Sequence, residues 1–268
     1  MARRTTWRAL ALLPALVLTA AGCAQSIAPT GADGELRFVE PGKLTTCTQL
    51  PYPPFQFDEG GKTTGFDVEL VDLVARDLGL EQKFFDTPFE GIQSGEALNT
   101  RKCDVAAAAI TITDARQQNM DFSDPYFDAK QALLVSAEHP YPDMAALRGK
   151  KLGVHLGTTG EDYAEEHEAE HGYEIVQYED LGLLQNAVQS GKVDAGINDN
   201  GVMLDFAKKN PDTKVTAEYS TGEVYGVAVQ RGNAQLVQKV NDSLRKARES
   251  GEYDRIYEKW FGKNPDQP

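Results

Sequence analysis

The stretch of residues 106–116 combines hydroxyl and guanidinium groups that could bind an anion. It opens with a short apolar run, typical of a strand buried on both faces. It then reaches Thr113 and Asp114, which are typical of the start of a helix. An arginine just past the end of a parallel strand lies where α/β proteins bind their ligands. The Arg116 fork matches a carboxylate, and the Thr111 hydroxyl can donate to the same group. The stretch therefore predicts a carboxylate site, with a purely structural Arg116 as the alternative.

A second cluster, His167-Glu168-Ala169-Glu170-His171, matches the zinc-protease motif H-E-x-x-H letter by letter. In such proteases the motif lies on a partly buried helix, so apolar residues should surround it. Here two more glutamates precede the motif, a glycine follows it, and the sequence shows no evident third ligand. The pattern instead predicts the solvated, acid-rich end of a helix. We expect neither a metal site nor a cofactor.

The charge balance excludes two classes of partner. The 268 residues carry a formal net charge of −14 at pH 7, and residues 1–22 contain three arginines and no acidic residue. Loss of that segment would leave a chain with a charge of −17. No basic cluster offsets this excess, so the sequence predicts no binding to nucleic acid and no electrostatic attraction to anionic lipid.

Residues 1–22 have the organisation of a bacterial export signal. An apolar segment too short to span a membrane follows the three arginines. It ends in Leu18-Thr19-Ala20-Ala21-Gly22-Cys23, which resembles the lipobox of bacterial lipoproteins except that Ala20 stands where leucine is usual. We expect removal of residues 1–22, acylation of Cys23 (palmitate included) and a flexible tether over residues 23–36. The expected location is the outer face of the cytoplasmic membrane. An ordinary cleaved secretory signal is the alternative.

Downstream of the tether, strand and helix patterns alternate, which is typical of α/β proteins. A strand over residues 44–48 leads into a loop that three prolines stiffen and that carries Tyr52 and Phe55. The apolar spacing that follows predicts a helix capped by Asp67 and ended by Gly79.

A second unit begins near residue 150. Its helix starts with the capping-box spacing of Thr158 and Glu161, where free N–H groups would receive an anion. A later strand delivers Asn198 and Asp199 at its end, and residues 225–229 read as a strand that returns to the first unit. The order of the patterns, with an interruption and a return, predicts two α/β lobes joined by two crossings. The aromatic residues of the last helix are expected to pack in the core.

Several motifs occur together in one order. They are Tyr52-Pro53-Pro54-Phe55, Gly65-Phe66-Asp67-Val68-Glu69-Leu70, Thr111-Ile112-Thr113 with Arg116, and Asp121-Phe122-Ser123-Asp124-Pro125-Tyr126. Over residues 44–262 the chain resembles the bacterial solute-binding protein family 3, the polar amino-acid receptors of ABC importers. The resemblance implies a two-lobed type II periplasmic-binding-protein fold, each lobe a mainly parallel sheet flanked by helices. The implied division is residues 37–132 plus 228–268 for lobe 1 and residues 133–227 for lobe 2.

The resemblance also implies roles for individual residues. Thr111, Arg116 and Thr159 match positions that hold the α-carboxylate of an amino acid. Asp199 and the carbonyl of Ala109 match the groups that hold its α-ammonium. The remaining matched positions contact the rest of the ligand: Tyr52 and Phe89 its aliphatic part, and Gln49, His155 and Asn198 its side chain.

The implied function is binding without catalysis. We expect a monomer that captures an L-amino acid between its lobes and delivers it to the membrane subunits of an ABC importer. Gln49 and Asn198 favour a neutral polar, glutamine-like ligand, because a basic ligand would need an acid there and an acidic ligand a second cation. The alternatives are a cyclohexadienyl or prephenate-type dehydratase on the same fold, and the ligand-sensing subunit of a receptor.

The two cysteines that remain after Cys23 are expected to be unpaired. An oxidising compartment favours a bond between Cys47 and Cys103. However, if Cys103 begins a strand parallel to that of Cys47, the offset is roughly four residues at about 3.3 Å each. That distance exceeds the roughly 7 Å between Cα atoms that a disulfide allows.

Overall fold

A computed structural model describes residues 35–262 of the chain. The predicted leader, the acylated Cys23 and residues 23–34 of the tether lie outside these residues. Within residues 35–262, no helix combines the length and the apolar character that crossing a bilayer requires.

The described strands form two five-stranded sheets and a hairpin. The strands are β1 (Lys43–Thr48), β2 (Phe57–Glu59), β3 (Lys62–Thr64), β4 (Glu81–Asp86), β5 (Val105–Ala106), β6 (Met120–Phe122), β7 (Phe127–Ser136), β8 (Lys151–His155), β9 (Glu174–Tyr178), β10 (Ala195–Asp199), β11 (Thr213–Tyr225) and β12 (Ala228–Gln230). The first sheet has the order β4-β1-β5-β12-β6, and the second has the order β11-β7-β10-β8-β9. β2 and β3 form the hairpin, which turns through Gly60 and Gly61 with positive φ at both residues.

Each sheet is mixed rather than mainly parallel. In the first sheet β1 is parallel to β4 and β5, whereas β12 is antiparallel to β5 and β6. In the second sheet β8 is parallel to β9 and β10, whereas β7 is antiparallel to β10 and β11. The chain leaves the first unit at the long strand β7 and returns to it at β12. Every antiparallel pair in the two sheets involves one of these two strands. The prediction of two α/β units with an interruption and a return is confirmed.

Helices cover both sheets. They are α1 (Phe66–Asp77), α2 (Phe89–Gln93), α3 (Glu96–Asn99), α4 (Asp114–Gln117), α5 (Thr159–His171), α6 (Leu181–Gln189), α7 (Asn200–Lys209), α8 (Ala234–Glu249) and α9 (Glu252–Phe261), with a 3-10 turn at Met144–Leu147. The predicted cap of α1 is wrong, because Gly65 is its N-cap and Asp67 is its second residue. Only glycine fits at position 65, since a Cβ there would lie 2.1 Å from the Phe55 carbonyl oxygen.

Aromatic side chains join the two lobes where the chain crosses between them. The Phe55 ring packs edge-on against Phe127 and Tyr225, with centroids 5.0 Å and 5.4 Å away. Phe261, from the last helix, lies 5.5 Å from Phe55 and 5.1 Å from Phe127. The prediction that the aromatic residues of α9 pack in the core is confirmed by these contacts and by the burial of Tyr253.

The two crossing segments run side by side. Ser123 N donates to the Val227 carbonyl, Val227 N donates to Ser123 Oγ, and Tyr126 N donates to the Tyr225 carbonyl, each across 2.9 Å. The first expected lobe boundary, between residues 132 and 133, falls within β7, which pairs in the second sheet from Phe127 onwards. We therefore propose that lobe 2 begins at β7 and ends with β11.

Cys47 and Cys103 form a disulfide, so the expectation of two unpaired thiols is wrong. Their Cα atoms are 5.5 Å apart. The expected offset assumed an extended strand starting at Cys103, but β5 starts at Val105 and the chain bends at residues 102 and 104. Asp104 N donates to the Thr45 carbonyl across 2.8 Å, and this contact brings the bend alongside β1.

Candidate ligand-binding site

The two sheets face each other across a small enclosed cavity of about 10 Å³. All but one of the ten predicted ligand-binding residues line it: Gln49, Tyr52, Phe89, Ala109, Thr111, Arg116, His155, Thr159 and Asp199. The exception, Asn198, is fully buried and accepts a hydrogen bond from the Tyr52 hydroxyl across 2.7 Å. The fold thus brings all ten residues to one place, and in this structure the lobes are closed over it.

Arg116 supplies the positive charge of the site. The predicted cap is present, since Thr113 Oγ1 accepts from Arg116 N (3.2 Å) at the start of α4. The guanidinium is buried and donates to the Thr111 carbonyl (2.9 Å) and, across the cleft, to the Gly157 carbonyl (3.0 Å). It also lies 5.3 Å from the centre of the Phe89 ring. Burial lowers the pKa of Arg116 from its usual value, but an arginine keeps its charge in proteins. The guanidinium carries five N–H groups, enough to contact a carboxylate in addition to these carbonyls.

Asp199 supplies the negative charge. It ends β10 and immediately precedes α7. Its carboxylate accepts from the Tyr225 hydroxyl (2.5 Å), Gln131 Nε2 (2.7 Å) and the Tyr52 hydroxyl (3.2 Å). Burial, and after it the charge of Glu223, raise the pKa of Asp199 to about 6, although the three hydrogen bonds oppose this shift. The group is therefore mostly ionised at neutral pH and loses its charge under mildly acidic conditions.

A left-handed residue turns the chain into the cavity. The strand predicted at the start of residues 106–116 ends after Ala106, and Ala109 has a φ of 49°. This conformation is costly for a residue with a Cβ. It is held by the buried carboxylate of Asp67, whose Oδ2 accepts from Ala109 N across 2.7 Å. Burial raises the pKa of Asp67 to about 7, and the hydrogen bond from Ala109 opposes that shift. The signature residue Asp67 thus shapes the cavity wall rather than capping its helix.

The start of α5 faces Arg116 from the second lobe. Thr158 caps the helix by accepting from Glu161 N (3.3 Å). The predicted capping box would have the Glu161 carboxylate accept from Thr158 N, but this carboxylate accepts from Gly157 N instead (2.6 Å). Thr159, the first residue of the helix, has its hydroxyl 3.4 Å from that of Thr111 in the other lobe. A helix N-terminus favours anions, so these two threonines and Arg116 surround a position suited to a carboxylate.

Neutral polar groups line the rest of the cavity. Burial lowers the pKa of His155, so this imidazole is neutral at pH 7. Neither of its ring nitrogens has a hydrogen bond of good geometry to residues 35–262, although the backbone of Glu179 lies close enough to oppose the lowering of its pKa. Both amide atoms of Gln56 also lack a partner among these residues. Gln49 Nε2 donates across the cleft to the Glu179 carbonyl (3.3 Å). Buried polar groups without partners are rare in proteins, so His155 and Gln56 are positioned to contact a ligand.

Sequence reasoning missed six residues of the site. Three of them line the cavity: Gln56, Ala108 and Thr158. Three more, Gln131, Glu223 and Tyr225, bond to residues that line it. Gln56 follows the Tyr-Pro-Pro-Phe motif directly, and its position could have suggested a role. Gln131 lies on β7, and Glu223 and Tyr225 lie on β11, where the sequence shows no local signal for a site.

The H-E-x-x-H segment lies apart from this cavity, on the C-terminal half of α5. Its two histidine rings stack with centroids 5.8 Å apart, and His167 Nδ1 lies 2.8 Å from the Tyr163 carbonyl oxygen. Within residues 35–262, no three histidine, cysteine or acidic side chains converge on a point that could hold a metal ion.

The sequence of this chain matches a known protein family. Residues 44–263 match the bacterial extracellular solute-binding proteins, family 3. The chain belongs to this family. It is 34% identical, over 97% of both chains, to a probable histidine-binding protein of Neisseria gonorrhoeae. It is 33% identical, over 95% of both chains, to the L-cystine-binding protein TcyJ of Escherichia coli (strain K12).

Solved structures support the family fold. An ancestral arginine-binding protein, solved with arginine and with glutamine, superposes with a TM-score of 0.78 in both cases at 40% identity. The aligned part covers 82–83% of this chain and 99% of that protein. The two-lobed type II fold of family 3 is therefore confirmed. The family is named for solute binding and these relatives for binding single amino acids, and none of these names describes an enzyme.

Proposed function

We propose that this family 3 protein captures a polar L-amino acid between its lobes and presents it to the membrane subunits of an ABC importer. The observation that carries the proposal is the pairing of Arg116 and Asp199, opposite charges that reach one cavity from different lobes. A zwitterion needs a cation and an anion close together, and burial strengthens both interactions. An amino acid can satisfy both groups only when the lobes are closed, so its binding would favour the closed form.

Within that class we propose a neutral polar ligand, with glutamine first. A glutamine side chain both donates and accepts hydrogen bonds, as do the neutral imidazole of His155 and the amides of Gln49 and Gln56. A guanidinium or ammonium group donates only, and Asp199 is the one acid among residues 35–262 that lines the cavity. The relatives named for histidine, cystine and arginine show how far the ligand varies among similar proteins.

A ligand panel tests this function. The mature protein would be melted with and without each of L-glutamine, L-asparagine, L-histidine, L-arginine, L-lysine, L-cystine and L-glutamate. Ligand at about a hundred times its Kd stabilises by about 2.7 kcal/mol, or roughly 5–11 °C for a chain of this size. Tight binding of arginine or lysine with glutamine inactive would refute the ligand preference. No response to any amino acid would refute the function.

We also propose that the protein is a monomeric lipoprotein held at the outer face of the cytoplasmic membrane through Cys23. The support is the lipobox-like sequence, together with the extracellular character of the family. Mass spectrometry of the N-terminal peptide from native membranes tests it. Diacylated Cys23 supports the proposal, and an unmodified N-terminus at another residue contradicts it.

A further inference from the structure

One carboxylate outside the predicted site contacts its carboxylate end directly and its ammonium end through an amide. Glu223 lies on β11 just past an irregularity in the pairing with β7, close to where the chain returns to the first lobe. Its Oε2 accepts from the Thr159 hydroxyl (2.8 Å) and lies 3.4 Å from the Thr111 hydroxyl oxygen. These are the hydroxyls that the proposed function assigns to the ligand's carboxylate, one from each lobe.

The same carboxylate reaches the ammonium end through one amide. Gln131 is fully buried on β7. Its Nε2 donates to Glu223 Oε2 (3.0 Å) and to Asp199 Oδ1 (2.7 Å). An amide nitrogen has two N–H groups, so the amide can serve both acids at once and fixes their separation.

The backbone around Glu223 ties this network to the lobe crossing. Ile112 N donates to the Val224 carbonyl (2.9 Å), and Gly226 N donates to the Ile110 carbonyl (3.2 Å). Val224 and Gly226 are therefore hydrogen-bonded to the two residues that flank Thr111. A side chain at this point can hold groups of both lobes in one arrangement.

We propose that Glu223 is a positioning residue that fixes the carboxylate end and the ammonium end of the amino-acid site relative to each other. This inference rests on the proposed function. Glu223 does not line the cavity, so it acts through Thr111 and Thr159 at one end and through Gln131 and Asp199 at the other. In the unliganded site it holds the two hydroxyls in place and keeps the amide directed at Asp199. Because each hydroxyl carries a single proton, the hydroxyls turn from Glu223 to the ligand's carboxylate on binding.

The role can be separated from a merely structural one by the pH dependence of binding. Asp199 faces Glu223 and Tyr225 from β11, Gln131 from β7 and Tyr52 from the first lobe, and Arg116 lies within electrostatic range. Glu223 raises the pKa of Asp199, whereas the hydrogen bond from Gln131 lowers it. Without the charge of Glu223, the pKa of Asp199 should fall and binding should be lost at a lower pH. Without the hydrogen bond from Gln131, that pKa should rise and binding should be lost at a higher pH.

The experiment is calorimetric titration with L-glutamine, or with whichever amino acid of the panel binds most tightly, between pH 4.5 and 8. The variants are Glu223→Gln, Gln131→Met and, as a matched control, Glu218→Gln. Glu218 lies on the same strand but contacts Asn200 and Lys130 outside the site. We expect Glu223→Gln to weaken binding about tenfold at pH 7.5, the scale of one charge-assisted hydrogen bond. We expect the pH below which binding is lost to fall in Glu223→Gln, to rise in Gln131→Met and to stay unchanged in Glu218→Gln.

Each other outcome is decisive. If Glu223→Gln matches Glu218→Gln in affinity and pH profile while the wild type binds, the positioning role is refuted and the proposed function stands. Tighter binding by Glu223→Gln would show that Glu223 competes with the ligand for the hydroxyls, and would also refute the role. If Glu223→Gln fails to fold, Gln131→Met decides. If that variant loses binding at the same pH as the wild type, the Gln131 amide does not connect Glu223 to Asp199 and the role is refuted. If the wild type binds no amino acid, the function and the inference fail together.

Discussion

Arg116 Nη2 donates to the Gly157 carbonyl oxygen across 3.0 Å, so a side chain anchored in the first lobe contacts the loop before α5 in the second. The same guanidinium is the group that we assign to the ligand's carboxylate. Contact between the lobes and recognition of the ligand therefore share one side chain. Two variants of Arg116 can separate its charge from its geometry.

Arg116→Ala should lose about 3–5 kcal/mol of binding free energy, because the ligand's carboxylate would be desolvated without its partner. Arg116→Lys keeps the charge but lacks the planar fork, so it should recover only part of the loss. Calorimetry with the best ligand measures both. Arg248→Ala serves as the control, since Arg248 contacts Pro125 and Tyr253 away from the cavity. If Arg116→Ala binds within tenfold of the wild type, Arg116 does not hold the carboxylate.

Asp199→Asn should abolish most of the ligand-induced rise in melting temperature while leaving the unliganded protein folded. An asparagine keeps the shape of the side chain and an oxygen for Tyr225 or Gln131, but it no longer carries the charge that an ammonium requires. Asp205→Asn, on α7 and paired with Lys209, is the control. Should Asp199→Asn keep the full ligand shift, our assignment of the ammonium position in the second lobe is wrong.

Binding should weaken as the pH falls through about 6. The pKa of Asp199 in the unliganded protein is raised to about 6, and only its ionised form attracts the ammonium. Below that value each pH unit should raise Kd by up to about tenfold, because the ligand must displace the proton. Titrations from pH 8 to 4.5 check this. A Kd that stays constant from pH 7 to 5 would contradict the assignment.

How much of the fold and site was predictable depends on the distance over which each signal acts. The caps at Thr113 and Thr158 were readable because a cap involves residues three apart in sequence. The crossings were readable because strand and helix patterns alternate. Thr111 and Arg116 were readable as an anion site from their position just past a buried strand, whereas the roles of the other eight site residues came from the family resemblance.

What could not be predicted depends on contacts between distant segments. Asp67 has the sequence signature of a cap, but a tertiary contact 42 residues away uses its carboxylate for Ala109. The disulfide expectation failed because a two-residue strand and a bend cannot be distinguished from a longer strand in an alanine-rich run. Glu223 and Gln131 converge through the pairing of β7 with β11, and no local pattern encodes that register.

Reduction of the Cys47–Cys103 disulfide should destabilise the protein by about 4 kcal/mol, the loop-entropy value for cysteines 56 residues apart. Melting with and without reductant measures the change, and Cys47→Ser with Cys103→Ser should reproduce it. Alkylation of unfolded, unreduced protein lacking Cys23 should label no thiol. Two labelled thiols would show that the bond is absent in solution.

The last prediction concerns Asp67 and the stability of the unliganded protein. Burial raises the pKa of Asp67 from 3.8 to about 7, so the folded state takes up a proton at a higher pH than the unfolded chain. The contribution of this group to stability is therefore fully present below about pH 4 and is lost as the pH rises through about 7. Asp67→Asn removes the titration but keeps an oxygen that can accept from Ala109 N.

The wild type should gain stability relative to Asp67→Asn when the pH is lowered from 8 to 5, by up to roughly 2.7 kcal/mol, because each pH unit below the pKa of about 7 contributes about 1.4 kcal/mol. Comparison of the two proteins at each pH cancels the effects of two other buried groups. His155, whose pKa is lowered by burial, acts in the opposite direction to Asp67, and Asp199, whose pKa is raised, acts in the same direction. Denaturant unfolding of both proteins at pH 8, 7, 6 and 5 measures the difference. If the two stability curves run parallel across this range, the carboxylate of Asp67 does not titrate as its burial requires.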